Sequence, residues 1–418
     1  MPFSEPLRLL QVAPRFSGSP NMGAELRNFH LAAQLAKRMM VTHIGFSLPG
    51  DEQRAEGDDP RLRFLRAPRA QRYRRLDLLR GALGPVPFPV LNYTRPAMKQ
   101  ALERLLAENR FDIVLLEQVH MGGYVPLLRR AAHPPAAVVC DWHNIESEAL
   151  DRCANSESNP ARRFYMRQAA AKLARFERCF VDQCDMHVTV SERDRRTLES
   201  YGGRPPAIVI ENGVSLEDFS GGKGGPPAPV STASARFRLI FVGAMDYYAN
   251  VDGVKWFAQG AWREIHRLIP QSVFTIVGRN PGAAIRELTG IPGIEVTGTV
   301  PDVRPYYSEA FAAVVPLRVG GGTRIKILES MAAGVPVVST GQGAEGLAVT
   351  PGANCILAES FEDMRDAIVA LSRDAGKAAG LARAGRDLVR QRYDWASLGE
   401  ALAERLVSLI EGARSAPQ

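Results

Sequence analysis

The 418-residue sequence contains no apolar run approaching the ~20 residues that a membrane-spanning helix needs. Its opening, MPFSEPLRLLQVAP, lacks the charged flank and long apolar stretch of a secretory signal, so a cytoplasmic protein is expected. Cysteine is scarce. Cys140, Cys153, Cys179, Cys184 and Cys355 are odd in number and show no C-x-x-C spacing, which argues for reduced thiols over a disulfide frame or a zinc site. There is no Asp-x-Asp pair to hold a divalent cation, no Gly-x-x-x-x-Gly-Lys-Ser/Thr loop and no Gly-x-Gly-x-x-Gly fingerprint after a strand. Ordinary NTPases and dinucleotide enzymes are therefore not indicated.

The length exceeds what one compact core serves, and two domains of about 200 residues are the simplest division. Residues 220–235, SGGKGGPPAPVSTASA, hold four glycines, three prolines and no aromatic, a linker composition. Before it, strand-like runs at 7–12, 41–46, 113–116, 136–140, 186–190 and 207–210 alternate with helical stretches near 24–38 and 97–108. After it come strands at 238–242, 273–277, 294–296, 312–315 and 335–339, with a helix near 251–266. This alternation predicts an α/β fold of two doubly wound parallel sheets. The expected domains are 1–217, a linker at 218–235, and 236–390, followed by a packing helix in 391–418 that can cross back to the first. Ligands of such sheets sit beyond the carboxyl ends of the strands, so a cleft between the domains is the expected site.

The formal charge of +7 is unevenly spread, with seven arginines from Arg61 to Arg75 interleaved with Leu62, Phe64, Leu65 and Tyr73. Such a patch suits a membrane leaflet or nucleic acid, and it is also what a solvated arginine-rich loop looks like. The most informative stretch is AVVPLRVGGGTRIKILESMAAGVPVVST, residues 313–340. A buried strand runs into Gly320, Gly321 and Gly322, whose missing side chains let backbone N–H groups approach an anion. Thr323 then opens a helix whose N-terminus favours phosphate. Arg324 and Lys326 add full charges. Lys326 and Glu329 share one helical face, while Ile325, Leu328 and Ala332 occupy another. The set fits a nucleotide diphosphate, with cations on phosphate and Glu329 accepting from ribose hydroxyls. A plain glycine turn beside an exposed ion pair would use the same residues.

Two such halves and the segment VGGGTRIKILESMAAGVPVVST resemble the GT-B glycosyltransferases of family 4, a retaining, nucleotide-sugar-dependent group. Further segments match in the family's order: Asn21-Met22-Gly23-Ala24-Glu25 after the first strand, Val190-Ser191, Ile210-Glu211-Asn212-Gly213-Val214, Phe241-Val242-Gly243-Ala244-Met245, and Gly298-Thr299-Val300-Pro301-Asp302 near the base. The resemblance implies donor binding by Gly23, Gly243, Val300, Asp302, Gly320, Gly321, Gly322, Thr323 and Glu329. It implies catalytic-side roles for Glu117, His143, Arg324 and Lys326. Three departures stand out. Gly321 occupies a position where relatives often carry a glutamate, Met245 to Asn250 lacks the usual arginine and lysine, and Glu117 replaces a histidine.

The activity implied by the resemblance is transfer of a sugar, with retention, to a hydroxyl of a saccharide or lipid-linked acceptor in surface or exopolysaccharide synthesis, and the Arg61 to Arg75 run would dock the protein on the anionic inner face of the membrane. Arg324, Lys326 and the helix N-terminus would stabilise the departing diphosphate, so no metal and no cofactor are expected. Front-side attack, the family's usual reading, requires no glycosidase-type carboxylate nucleophile. Glu117 and His143 would then orient acceptor or sugar. The competing readings are a nucleotide-sugar epimerase, a silent sugar-nucleotide binder and a basic nucleic-acid-binding protein. No aromatic stacking platform supports the last of these, and no nucleic-acid partner is expected.

Overall fold

The computed structural model describes residues 5–18, 23–47, 59–69, 75–157, 159–219, 237–319 and 324–415. The glycine turn 320–323 and the segment 220–235 lie outside the described residues. The chain forms two compact units, residues 1–211 with 398–418, and residues 212–397.

In the first unit, β1 (Arg8–Ala13), β2 (Met40–Ser47), β3 (Leu62–Pro68), β4 (Ile113–Glu117), β5 (Ala137–Trp142), β6 (Met186–Thr189) and β7 (Ala207–Val209) form a parallel sheet in the order β3-β2-β1-β4-β5-β6-β7. In the second, β8 (Phe237–Val242), β9 (Ser272–Val277), β10 (Ile294–Gly298), β11 (Ala312–Val315), β12 (Val337–Ser339) and β13 (Ile356–Leu357) are ordered β10-β9-β8-β11-β12-β13. Every residue of β4 and β5 is buried, as expected for parallel strands covered on both faces by crossover helices. Strand order reverses between β1 and β4 and again between β8 and β11. Those switch points are where doubly wound sheets bind ligands.

Two expectations need correction. The helix anticipated near 251–266 is two helices, Tyr248–Gln259 and Ala261–Leu268, broken at Gly260. A side chain at Gly260 would lie 2.2 Å from the ring of Phe361, which itself stacks on Trp256. The arginine-rich run contributes strand β3, with Phe64 buried beneath it. The Arg66 guanidinium lies 4.2 Å over Phe16, and that of Arg69 lies 4.6 Å over Tyr93, so part of the charge is spent on aromatic faces. The helix Trp395–Ser415 buries Leu402, Leu406 and Ile410, and its residues from Leu398 onward belong to the first unit. Among the described residues no helix is long and apolar enough to cross a membrane.

Candidate functional site

At the switch point of the first sheet, apolar strands end in polar side chains. Glu117 closes β4 in register with Asp141 of β5, and Gln11 lies on β1 beside them. All three are fully buried. Gln11 Nε2 donates to Glu117 Oε1 at 2.5 Å, and His143 Nε2, just past β5, donates to Oε2 at 2.8 Å. Asn28, its amide nitrogen turned toward the carboxylate, donates to Oε2 at 2.9 Å. Burial, and then the charge of Asp141, push the Glu117 carboxyl up, while the bonds from His143 and Gln11 oppose the rise. Asp141 is held by Arg27 of helix Gly23–Leu35, whose Nε and Nη2 donate at 2.7 and 2.9 Å in a buried fork.

Glu117, Asp141 and His143 have ligand atoms within 4.8 Å of one another, close enough for a metal ion. Both carboxylate oxygens of Asp141 are already engaged by the Arg27 fork.

Gln118 follows Glu117 with φ of 69°, a strained conformation for a side-chain-bearing residue. Its Nε2 donates to His143 Nδ1 at 3.2 Å, and its Oε1 accepts from His120 Nδ1 at 2.8 Å. His120 Nε2 lies 3.9 Å from Glu146, and burial lowers the His120 pKa. Behind the cluster His43 Nδ1 donates to Gln11 Oε1 at 2.8 Å. Burial pushes His43 down to about 3 against a backbone contact from Arg15, so its ring is neutral. A continuous line of hydrogen bonds thus runs from His43 through Gln11, Glu117, His143 and Gln118 to His120.

The sequence reading singled out Glu117 and His143, which the fold brings together, and missed Gln11, Arg27, Asn28, Asp141, Gln118 and His120. A signal was there. Gln11 in LLQVA and Asp141 in VVCDW are polar residues inside buried strands, and such groups need partners.

In the second unit the carboxyl edges of β8 and β11 converge with helix Ile325–Ala332, which begins one residue after Arg324. Lys326 Nζ donates to Asn250 Oδ1 at 2.6 Å and lies 4.2 Å above the Phe241 ring. A methyl group on Gly243 would fall 2.7 Å from Asn250 Nδ2 and 3.0 Å from Lys326 Nζ, so glycine there admits the cation. Burial, then Arg324, push the Lys326 pKa down to about 7. Glu329 accepts from the Tyr307 hydroxyl at 3.0 Å, and burial pushes its carboxyl up to about 7. Lys326 and Glu329 share a helical face, yet each is bonded to another element. An exposed surface ion pair is not what they form.

Arg324 is buried, donating from Nη2 to the Gln342 carbonyl at 3.0 Å with Glu345 at 3.7 Å. Asp302 is engaged by Arg304, which holds its carboxyl below the usual range, and Val300 packs on the core. A cavity of about 460 Å³ opens beside them, lined by Asn280, Arg286, Thr289, Val296, Gly298 and Thr299 among others. Gly23 opens helix Gly23–Leu35. Gly320, Gly321, Gly322 and Thr323 lie outside the described residues.

Two doubly wound parallel-sheet units, each with polar groups gathered at the carboxyl edge of its switch point, make this a GT-B enzyme. Residues 236–374 match the family model described as glycosyl transferases group 1, and residues 23–218 match that of glycosyltransferase family 4. The chain belongs to the family 4 GT-B glycosyltransferases. Among solved structures it is similar to sucrose-phosphate synthase from Thermosynechococcus elongatus, with 17% identity, TM-score 0.67, and coverage of 97% of this chain and 100% of that one. HepE from Anabaena, in complex with UDP and glucose, gives 16% identity, TM-score 0.61 and coverage of 96% and 100%. The trehalose 6-phosphate synthase of Burkholderia multivorans gives 14% identity, TM-score 0.62 and coverage of 99% and 100%. No curated protein sequence matches the chain significantly.

Proposed function

We propose that this glycosyltransferase takes a sugar from a nucleoside diphosphate donor and passes it, with retention, to a hydroxyl of a saccharide or lipid-linked acceptor in surface or exopolysaccharide synthesis. The observation that carries the donor side is the Lys326 ammonium set between Asn250 and Gly243 at the carboxyl edge of the second sheet. Charge develops on the departing diphosphate, and a prepositioned Lys326, protonated as the nucleotide binds, stabilises it. Glu329 is the ribose acceptor in this reading, and the cavity beside Gly298 and Thr299 is the place for the base. HepE, of the same fold, is described in complex with UDP-glucose, which favours a nucleotide sugar here.

Glu117 and His143 orient the acceptor or the transferred sugar. Neither is required as a covalent nucleophile, because in front-side attack a donor phosphate oxygen takes the acceptor proton. No metal and no cofactor enter the reading.

Peripheral binding to an anionic leaflet is its membrane component. Support comes from Arg61 and Arg63 of the Arg61 to Arg75 run, exposed just before and on β3, and from Phe164 and Tyr165, exposed beside Arg162 and Arg163 on helix Pro160–Val181.

The test is an NMR-monitored reaction of UDP-, GDP- and ADP-sugars with a saccharide acceptor panel. Product carrying the donor's anomeric configuration is expected. Inverted product, or epimerised donor in the absence of acceptor, would overturn the proposal.

A further inference from the structure

Both ring nitrogens of His143 are occupied by the protein, Nε2 by Glu117 and Nδ1 by the Gln118 amide. An amide nitrogen can only donate, so His143 Nδ1 must accept and the ring hydrogen sits on Nε2. The amide oxygen can only accept, so His120 must carry its hydrogen on Nδ1. One side-chain amide therefore fixes two tautomers. The backbone holds that amide in place at a cost: φ 69° and ψ 150° are unfavourable for a residue other than glycine. Gln118 N, donating to the Asp141 carbonyl at 2.8 Å, helps impose the conformation. Glycine would adopt it freely and would lack the amide.

We propose that Gln118 is a positioning residue for the Glu117–His143 pair, which holds His143 in one tautomer and, by reversing its amide, ties the protonation of that pair to the tautomer of His120. The consequence for turnover rests on the acceptor-side reading of His143; the device itself rests on the hydrogen bonds. When the pair gains one proton, His143 Nδ1 becomes a donor and can no longer face an amide nitrogen. The amide turns, its oxygen accepts from His143 Nδ1, and its nitrogen now faces His120 Nδ1. His120 stays neutral. It releases its Nδ1 proton to solvent and takes one on Nε2, toward Glu146, so the net change is the single proton added to the pair. Exchange is open, since the side chains of His120 and Glu146 are 14% and 20% exposed. The charged groups facing the two rings are Glu117 and Asp141, the latter compensated by Arg27, on His143, and Glu146 on His120.

The test uses the full chain labelled with 15N-histidine and long-range 1H–15N NMR from pH 8 to pH 5, the seven histidines being assigned with H143Q and H120Q. At pH 8 His143 should be the Nε2–H tautomer and His120 the Nδ1–H tautomer. On acidification His120 should change tautomer at the midpoint where His143 gains its proton. Gln118→Gly, which suits the backbone and keeps the fold, should uncouple the two signals. The proposal is overturned if His120 keeps its Nδ1 proton while His143 gains one, if His143 takes no proton down to pH 5, or if the two signals stay coupled in Q118G. Neither donor nor turnover enters the measurement, so its failure is distinct from failure of the transfer reading.

Discussion

Lys326 Nζ donates to Asn250 Oδ1 at 2.6 Å, and that bond joins helix Ile325–Ala332 to the segment following the glycine turn of β8. The Met245 to Asn250 segment carries no cation of its own. The charge is delivered to it from a residue 76 positions away in the chain.

Nucleotide binding should therefore take up protons. Burial holds the free Lys326 pKa at about 7, so much of it is neutral at pH 8, and a diphosphate beside it favours the ammonium. Titration calorimetry in buffers of differing ionisation enthalpy should show uptake of up to about one proton at pH 8, with affinity falling as pH rises above 7. Lys326→Met should abolish the uptake. Uptake unchanged in that variant would remove Lys326 from the donor site.

The same two buried groups shape stability. Glu329, raised to about 7, binds more protons in the folded than in the unfolded chain between its ordinary value and pH 7, so its contribution falls as pH rises through that window. Lys326, lowered to about 7, binds fewer protons when folded from pH 7 up to its ordinary value, so its contribution rises there. Denaturation of wild type against Glu329→Gln should show the acid-side slope flatten in the variant. Parallel curves from pH 5 to 7 would contradict this.

Arg27 and Asp141 form a buried pair with both fork bonds made. Arg27→Met leaves a bare carboxylate in the core and should cost about 3–5 kcal/mol in chemical denaturation. Arg27→Met with Asp141→Asn should recover part of that loss. A loss below about 1 kcal/mol for the single variant would show that the pair is not the anchor of this edge.

His143→Ala should lower kcat about 100-fold, the low end for a positioned acid–base or orienting group, while leaving nucleotide affinity unchanged. Equal loss of nucleotide binding would place His143 on the donor side.

In flotation with vesicles containing anionic lipid, wild-type protein should rise with the vesicles and release on adding salt. Reversing Arg162 and Arg163 to glutamate should weaken binding by more than tenfold, since each basic residue near such a surface contributes about 1 kcal/mol. Binding that is absent or indifferent to salt would end the membrane reading.

Much of the fold was legible in the sequence, because the central strands are apolar runs such as LLQV, IVLL and LIFV that alternate with helical stretches. Strand β3 was not, since the arginines of its run read as surface charge until Phe16 and Tyr93 are seen beneath Arg66 and Arg69. The break at Gly260 depends on Phe361, which no local pattern reveals. Glu117 and His143 were singled out through the resemblance to family 4. What holds them was not, because Arg27 meets Asp141 across 114 residues and Gln118 acts through a backbone angle that sequence does not display.

The most direct measurement is a thermal-shift panel of UDP-, GDP- and ADP-sugars on wild type, Lys326→Met and Glu329→Ala. Linkage at 100 times Kd supplies about 2.7 kcal/mol, several degrees for a unit of this size. One nucleotide class should stabilise wild type by that order, and both variants, folded in its absence, should lose the shift. Shifts that persist unchanged in both variants would contradict the assignment of the donor site to this edge of the second sheet.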